Sequence, residues 1–164
     1  MPERLVDIPI ESLPFVDEYY LDIAATTEDV WEALLATMRG YARGSARPIA
    51  RALGCAQTET RGEIGRIGST IPGFVVTRSV RPVVLALMGQ HRFSRYALIF
   101  RIVEKPSGLV LLSAQTRAEF PGAKGKAYRG LVIGTRGHVL VTRSIMRSVR
   151  RRAERMTWDD QRRA

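Results

Sequence analysis

The stretch SRYALIFRIVEKPSGLVLLSAQTRAEF, residues 94–120, contains two segments in which apolar residues recur at every second position. A period of two is the pattern of a β-strand that buries one face. The predicted inner faces consist of Tyr96, Leu98, Phe100 and Ile102 in the first segment, and of Val110, Leu112, Ala114, Thr116, Ala118 and Phe120 in the second. The residues EKPSG between the segments favour a turn. We therefore predict a hairpin of two long strands, with Arg95 and Arg101 on the outer, hydrated face.

A strand and two helices are predicted before this hairpin. Residues 14–25, PFVDEYYLDIAA, alternate in polarity and indicate a strand. In TTEDVWEALLATM, residues 26–38, Thr26 or Thr27 can cap a helix whose first turn is acidic and whose apolar residues have helical spacing. Gly40 is the expected end of this helix. A second short helix is predicted over residues 46–53, ending at Gly54, and short strands separated by glycine and proline are expected over 56–90.

The C-terminal part, residues 126–156, is predicted to be one long helix with an apolar face and an arginine-rich face. Gly130, Gly134 and Gly137 interrupt it, and each costs a helix roughly 1 kcal/mol relative to alanine. A neighbouring element that approaches closely, or free space beside a cavity, would explain them. The alternative is a kink or a break between two shorter helices at residues 133–138.

Length and composition favour one domain in a reducing compartment. The 164 residues suit a single domain, predicted over 14–156, with an N-terminal extension (1–13) and a basic tail (157–164) whose composition is compatible with disorder. The N-terminus lacks the pattern of a secretory signal, and no apolar run approaches the ~18 residues of a membrane span. The lone Cys55 cannot form an internal disulfide. We expect a cytoplasmic protein.

Charge is distributed unevenly along the chain. Residues 1–34 carry nine acids and one base, whereas the whole chain has a net charge of +10, so the remaining residues carry +18. This asymmetry is compatible with an anionic partner such as nucleic acid or an anionic lipid surface. The alternative is that the acidic first strand and helix pack beside basic elements of the same domain. Nucleic acid is disfavoured because Tyr96 and Phe100 share the apolar face rather than the arginine face.

The order of strand, two short helices, antiparallel strands and long C-terminal helix resembles the helix-grip fold of the START-like superfamily. The residues that carry the resemblance are DIAATTEDVWEALLATM (22–38), PGFVVTRSVRPVVLALMGQHRFSRYALIFRI (72–102) and the region from Ala114 to Glu154. They are similar to a bacterial, actinobacterial branch of that superfamily, which includes lipid-transfer domains, polyketide cyclases and proteins of the birch-pollen-allergen type. The resemblance implies an α+β fold in which a curved antiparallel sheet wraps around the C-terminal helix.

The resemblance also implies a cavity between sheet and helix that binds a small molecule. The residues expected to line it are Tyr96, Leu98, Phe100, Leu112, Ala114 and Thr116 from the strands, and Tyr128, Leu131, Val132, Thr135 and Val139 from the helix. Mostly apolar walls with a few polar groups are typical of small-molecule pockets. The alternative is that the same residues fill a solid core, which would need the same apolar faces.

Residues that could carry chemistry are few. The candidate acid–base groups are His138, His91 and Tyr128, and an exposed position is expected for His91 at a strand end. Metal-ligand spacings, a nucleophile elbow and phosphate-binding glycine motifs do not occur in the sequence, so we predict no metal and no cofactor.

These observations favour binding or transport of a hydrophobic or amphipathic small molecule, such as a lipid, a fatty acid or a polyketide-like compound. The basic residues favour an anionic or polar-headed ligand. Two alternatives stay open, an enzyme that resembles polyketide cyclases or dehydratases and forms no covalent intermediate, and a basic module that binds RNA or a membrane surface. The sequence allows a monomer or a homodimer.

Overall fold

The computed structural model describes residues 5–44, 46–122, 125 and 137–163, with side chains in the last range from Val139 onward. Two single turns of 3₁₀ helix, Leu5–Asp7 and Ile10–Ser12, come first. The remaining elements are β1 (Phe15–Ile23), α1 (Thr27–Arg43), α2 (Ala46–Leu53), β2 (Thr70–Ile71), β3 (Phe74–Val80), β4 (Val84–His91), β5 (Ser94–Glu104), β6 (Val110–Glu119) and α3 (Gly137–Arg163).

The six described strands form one antiparallel sheet in the order β1-β6-β5-β4-β3-β2. The predicted hairpin is its longest pair, in which Leu98 lies opposite Thr116 and Phe100 opposite Ala114. On one face of the sheet α3 contacts β1, β6 and α1. A core that includes Trp31, Phe100 and Val149 fills the space between them. The α+β helix-grip fold predicted from the sequence is confirmed.

Helix α1 begins as predicted and ends later than predicted. Thr26 Oγ1 accepts a hydrogen bond from the Asp29 backbone N–H at 3.0 Å, which satisfies one of the free N–H groups of the first turn. Gly40, the expected end, lies inside the helix, which continues to Arg43. A glycine in an exposed helical position weakens a helix without stopping it, because its backbone can still adopt helical angles.

Residues 5–13, placed by the sequence in an extension, cover part of the outer face of the sheet. Their four buried side chains, Leu5, Ile8, Ile10 and Leu13, form a second apolar cluster with Val75, Ala86, Met88, Ala97 and Ile99. Arg117 holds this segment by donating to the Leu13 carbonyl at 2.8 Å. The sequence predicted a hydrated outer face for β5, and the structure corrects this. Ala97 and Ile99 are buried there, and Arg95 and Arg101 are half-buried.

The last helix extends beyond its expected end. Residues 157–163, expected to form a separate tail, are the final turns of α3. The Thr157 hydroxyl donates to Asp29 Oδ2 at 2.5 Å and ties this part of α3 to the start of α1. Residues 126–136 lie outside the described ranges, so the continuity of the helix through Gly134 stays a prediction.

Several acids of the N-terminal region pair with basic residues of the sheet or its loops. Arg81 contacts Glu28 at 2.6 Å and Glu32 at 2.9 Å, and Lys105 contacts Asp22 at 3.0 Å. These side chains are largely exposed, so solvent screens each pair and its contribution to stability is small. They do show that part of the uneven charge along the sequence is balanced within the fold.

Candidate functional site

A cavity of about 260 Å³ lies between the inner face of the sheet and the helices. Met38 and Tyr41 of α1, Ile49 and Leu53 of α2, and Ile145 of α3 contribute to the helical wall. Ile49 is more than half exposed, so the cavity reaches the surface at α2. The sheet contributes Leu87, His91, Ser94, Tyr96, Leu98, Thr116 and Ala118 to the opposite wall.

Three of the strand residues predicted to bind a ligand, Tyr96, Leu98 and Thr116, line this cavity. The other three do not. Phe100, Leu112 and Ala114 lie further along the same faces, where α1 contacts β5 and β6, and they are fully buried in the core. On the same face of a strand, some residues therefore line the cavity while their neighbours are packed in the hydrophobic core. A role in ligand binding stays a prediction for all six.

The predicted helical residues are described only in part. Val139 is half-buried in α3 and does not line the cavity, whereas Thr142 and Ile145 of the same helix do. The predicted residues Tyr128, Leu131, Val132 and Thr135 lie outside the described residues. The same holds for the side chain of His138, whose backbone belongs to α3.

Tyr96 owes its position to Gly89, its cross-strand neighbour on β4. A Cβ atom at Gly89 would overlap both the Tyr96 ring and the Gly73 carbonyl oxygen, so only glycine leaves room for the ring to lie across β4. The Tyr96 hydroxyl then donates to the Gly73 carbonyl at 2.8 Å. Phe74 packs edge-on against the ring at 5.3 Å between centroids. These contacts fix the phenol in the cavity wall.

His91 lies on the inner face of β4, 8 % exposed, rather than in the exposed position expected from the sequence. Its ring centroid is 5.4 Å from that of Tyr96, and the Phe93 backbone N–H donates to its Nδ1 at 3.2 Å. Desolvation lowers the pKa of His91, which favours the neutral ring. An accepting Nδ1 places the ring proton of that neutral form on Nε2. The alternation of VLALMGQH, which puts His91 on the face of Leu85 and Leu87, is the signal that could have indicated its burial.

Cys55, which sequence reasoning considered only with respect to disulfide formation, also lines the cavity. Its Sγ lies 3.8 Å from the Tyr96 hydroxyl oxygen. Burial raises the pKa of the thiol, so Cys55 is a protonated thiol at neutral pH rather than a reactive thiolate. Cys55 and the α2 residues were missed because their position depends on how the segment after α1 folds against the sheet.

The described lining residues include no lysine, arginine, aspartate or glutamate. Within the same part of the chain, no three side chains of the metal-ligating types come together. No described helix combines the length and the apolar character needed to cross a bilayer. What the described wall offers a ligand is apolar surface with a few neutral polar groups.

Comparisons with solved structures identify the fold. The chain is similar to truncated norcoclaurine synthase from Thalictrum flavum, with a TM-score of 0.53 and 12 % identity over 84 % of this chain and 94 % of that one. The chain has a START-like helix-grip fold. The chain is also similar to a conserved protein from Geobacillus kaustophilus, with a TM-score of 0.48 and 16 % identity over 82 % of this chain and 91 % of that one. A third similar structure is CalU16 from Micromonospora echinospora, with a TM-score of 0.43 and 18 % identity over 84 % of this chain and 82 % of that one.

Sequence comparisons give no finer assignment. No family model matches the chain, and no curated protein matches it. The actinobacterial branch expected from the sequence therefore stays a prediction.

Proposed function

We propose that this protein binds a hydrophobic or amphipathic small molecule in the cavity between the sheet and the helices. The observation that supports the proposal is the cavity itself, about 260 Å³ in volume and lined mainly by apolar side chains. Pockets that bind small molecules typically measure ~300–1,000 Å³ and have apolar walls with a few polar groups. A volume just below that range favours a compact ring compound over a long acyl chain.

The location of the cavity supports the same function. Its floor is the inner face of β4–β6, whose strands pair along their full length, and its other wall is formed by α1, α2 and α3. Ile49 and Val141 line the cavity and are half or more exposed, so they mark a route between the cavity and the surface. A ligand that enters there exchanges water for apolar side chains, which is favourable by about 25 cal/mol per Å² of apolar surface buried.

Two experiments test the proposal. Native mass spectrometry of the purified protein should detect a co-purified small molecule, whereas co-purified nucleic acid would favour the basic-module alternative. The neutral fluorophore N-phenyl-1-naphthylamine should bind with one site and gain fluorescence, as expected for transfer into an apolar environment.

Matched variants on α3 locate the binding site. Ile145 lines the cavity, so Ile145→Trp should fill part of it and abolish the fluorescence gain. Leu140 is 69 % exposed on the same helix and does not line the cavity, so Leu140→Trp should bind the fluorophore as the wild type does. Equal binding by both variants would show that the fluorophore binds elsewhere and would contradict the proposal.

A further inference from the structure

Four polar side chains of the cavity, those of Cys55, His91, Ser94 and Tyr96, lie together at one end. His91 and Ser94 are the last cross-strand pair of β4 and β5, and Tyr96 follows Ser94 on the same face. Cys55 reaches this end through its 3.8 Å contact with the Tyr96 hydroxyl. The described helices contribute mainly apolar side chains to the cavity, among them Met38 and Ile145. A molecule in the cavity therefore meets a polar end near the β4–β5 turn, whereas the rest of the described wall is mainly apolar, with the hydroxyls of Thr116 and Thr142.

Ser94 is the residue of this end that can serve a ligand. It is 4 % exposed and lines the cavity, yet its hydroxyl forms no hydrogen bond within the described part of the chain. Its neighbours already have partners, because Tyr96 donates to the Gly73 carbonyl and His91 Nδ1 accepts from the Phe93 N–H. A polar group on the ligand can therefore form a hydrogen bond with the Ser94 hydroxyl. A second hydroxyl of the described cavity wall without a partner, that of Thr116, lies further along the sheet, opposite Leu98.

The described part of the cavity wall favours an uncharged polar group. The described cavity wall holds no formally charged side chain, and the neutral form of His91 is favoured by burial. A carboxylate placed at this end would lose its hydration without gaining a cation from that wall. This argues against the anionic headgroup that the basic composition suggested.

We propose that the ligand is a compact apolar molecule with one uncharged hydrogen-bonding group, such as a hydroxyl, and that it binds with this group at Ser94 and its apolar part against α1 and α3. The inference rests on the proposed function and makes it more specific. It assigns Ser94 a role in specificity that the sequence did not suggest.

Three probes of one ring size test it: naphthalene, 2-naphthol, which is neutral at pH 7, and 2-naphthoate, which is anionic. Their affinities are measured by ¹H–¹⁵N NMR titration of the full chain. Ser94→Ala should weaken 2-naphthol binding about 3–10-fold, the range expected for one neutral hydrogen bond, and should change naphthalene binding less than about twofold. Ser113→Ala, which removes a buried hydroxyl of the same sheet outside the cavity, is the matched control and should change neither affinity.

The outcomes distinguish a wrong assignment of Ser94 from a failure of the proposed function. If naphthalene or 2-naphthol binds but Ser94→Ala weakens both equally or neither, the role of Ser94 is wrong while ligand binding stands. If 2-naphthoate binds the wild type as tightly as 2-naphthol, the inference of an uncharged group is wrong, and this comparison needs no variant. If none of the probes shifts cavity resonances, the proposed function itself fails.

Discussion

Replacing Gly89 with alanine should destabilise the fold, although alanine is normally the more favourable residue. The added methyl group would overlap the Gly73 carbonyl oxygen and the Tyr96 ring. The carbonyl belongs to the backbone and cannot rotate away, so either β4 or the segment carrying Gly73 has to shift. The Tyr96 hydroxyl would then lose its hydrogen bond to Gly73, because the ring can no longer lie across β4.

The size of the effect follows from three contributions. Overpacking of a well-packed site costs about 1–3 kcal/mol. Loss of the Tyr96–Gly73 hydrogen bond costs about 0.5–1.5 kcal/mol. The lower backbone entropy of alanine in the unfolded chain returns about 0.5–1 kcal/mol. The expected net loss in the free energy of unfolding is therefore about 0.5–4 kcal/mol.

Gly40 offers a control with the same chemical change and the opposite expected sign. It is exposed inside α1, and a Cβ atom there would meet no atom within 4 Å. Gly40→Ala should therefore raise the free energy of unfolding by about 1 kcal/mol through helix propensity. Both values come from urea denaturation followed by circular dichroism, with an unchanged m-value as the check that the unfolding transition is comparable.

The result that would refute this reasoning is a Gly89→Ala variant as stable as the wild type or more stable. It would mean that the Tyr96 ring does not depend on the space above Gly89, and the description of this cavity wall would have to change. N-phenyl-1-naphthylamine binding by the same variant reports on the cavity independently, since a displaced Tyr96 should alter its affinity.

Three further outcomes are expected. Leu13→Ala should lower the free energy of unfolding by about 2–5 kcal/mol in urea denaturation, since Leu13 is fully buried under the outer face of the sheet; a loss below 1 kcal/mol would contradict that packing. Burial lowers the pKa of His91, so as the pH falls His91 is protonated in the unfolded chain before it is protonated in the folded chain. The free energy of unfolding should therefore decrease as the pH drops from the ordinary pKa of 6.5 towards the lowered pKa. Denaturation series between pH 7.5 and 5 of the wild type and His91→Gln should differ in this fall, and parallel curves would show that His91 does not cause it. Burial also raises the pKa of the Cys55 thiol, so its reaction with Ellman's reagent at pH 7.5 should be slower in the folded chain than in urea and slower again with bound fluorophore; equal rates would place Cys55 outside the cavity.

The β5–β6 hairpin could be predicted because its signal is local. A period of two over ten or more residues, with a turn sequence between, leaves few alternatives, and Leu98 opposite Thr116 follows from it. The signal for the helix cap at Thr26 is equally local, because the Thr26 hydroxyl accepts a hydrogen bond from the backbone N–H of Asp29, only three residues later.

The covering of the outer face could not be predicted in the same way. The apolar residues of LVDIPIESL have neither helical nor strand spacing, because two separate 3₁₀ turns present them. A hint existed in Ala97 and Ile99, since a strand with apolar residues on both faces is usually covered on both. Which segment provides the cover depends on contacts distant in sequence.

The sequence predicts an apolar cavity between sheet and helix, but it identifies only some of the residues that line the cavity. Strand alternation identifies the inner face of the sheet, but it cannot show where α1 fills the space above Phe100 and where the space above Tyr96 stays open. That boundary depends on which residues of α1 and α2 pack against the sheet. Cys55 and Ile49 line the cavity for the same reason, and no periodicity connects them with the strands.

The N-terminal cover has a consequence for how the two walls of the cavity can respond to a ligand. Where residues 5–13 cover the outer face, around Ala86, Met88, Ala97 and Ile99, the amides of β4 and β5 lie in the middle of a paired sheet that is covered on both faces. Such amides exchange with deuterium only through large opening events. The sheet wall therefore acts as a fixed template, and any adjustment to ligands of different outline has to come from the helical wall.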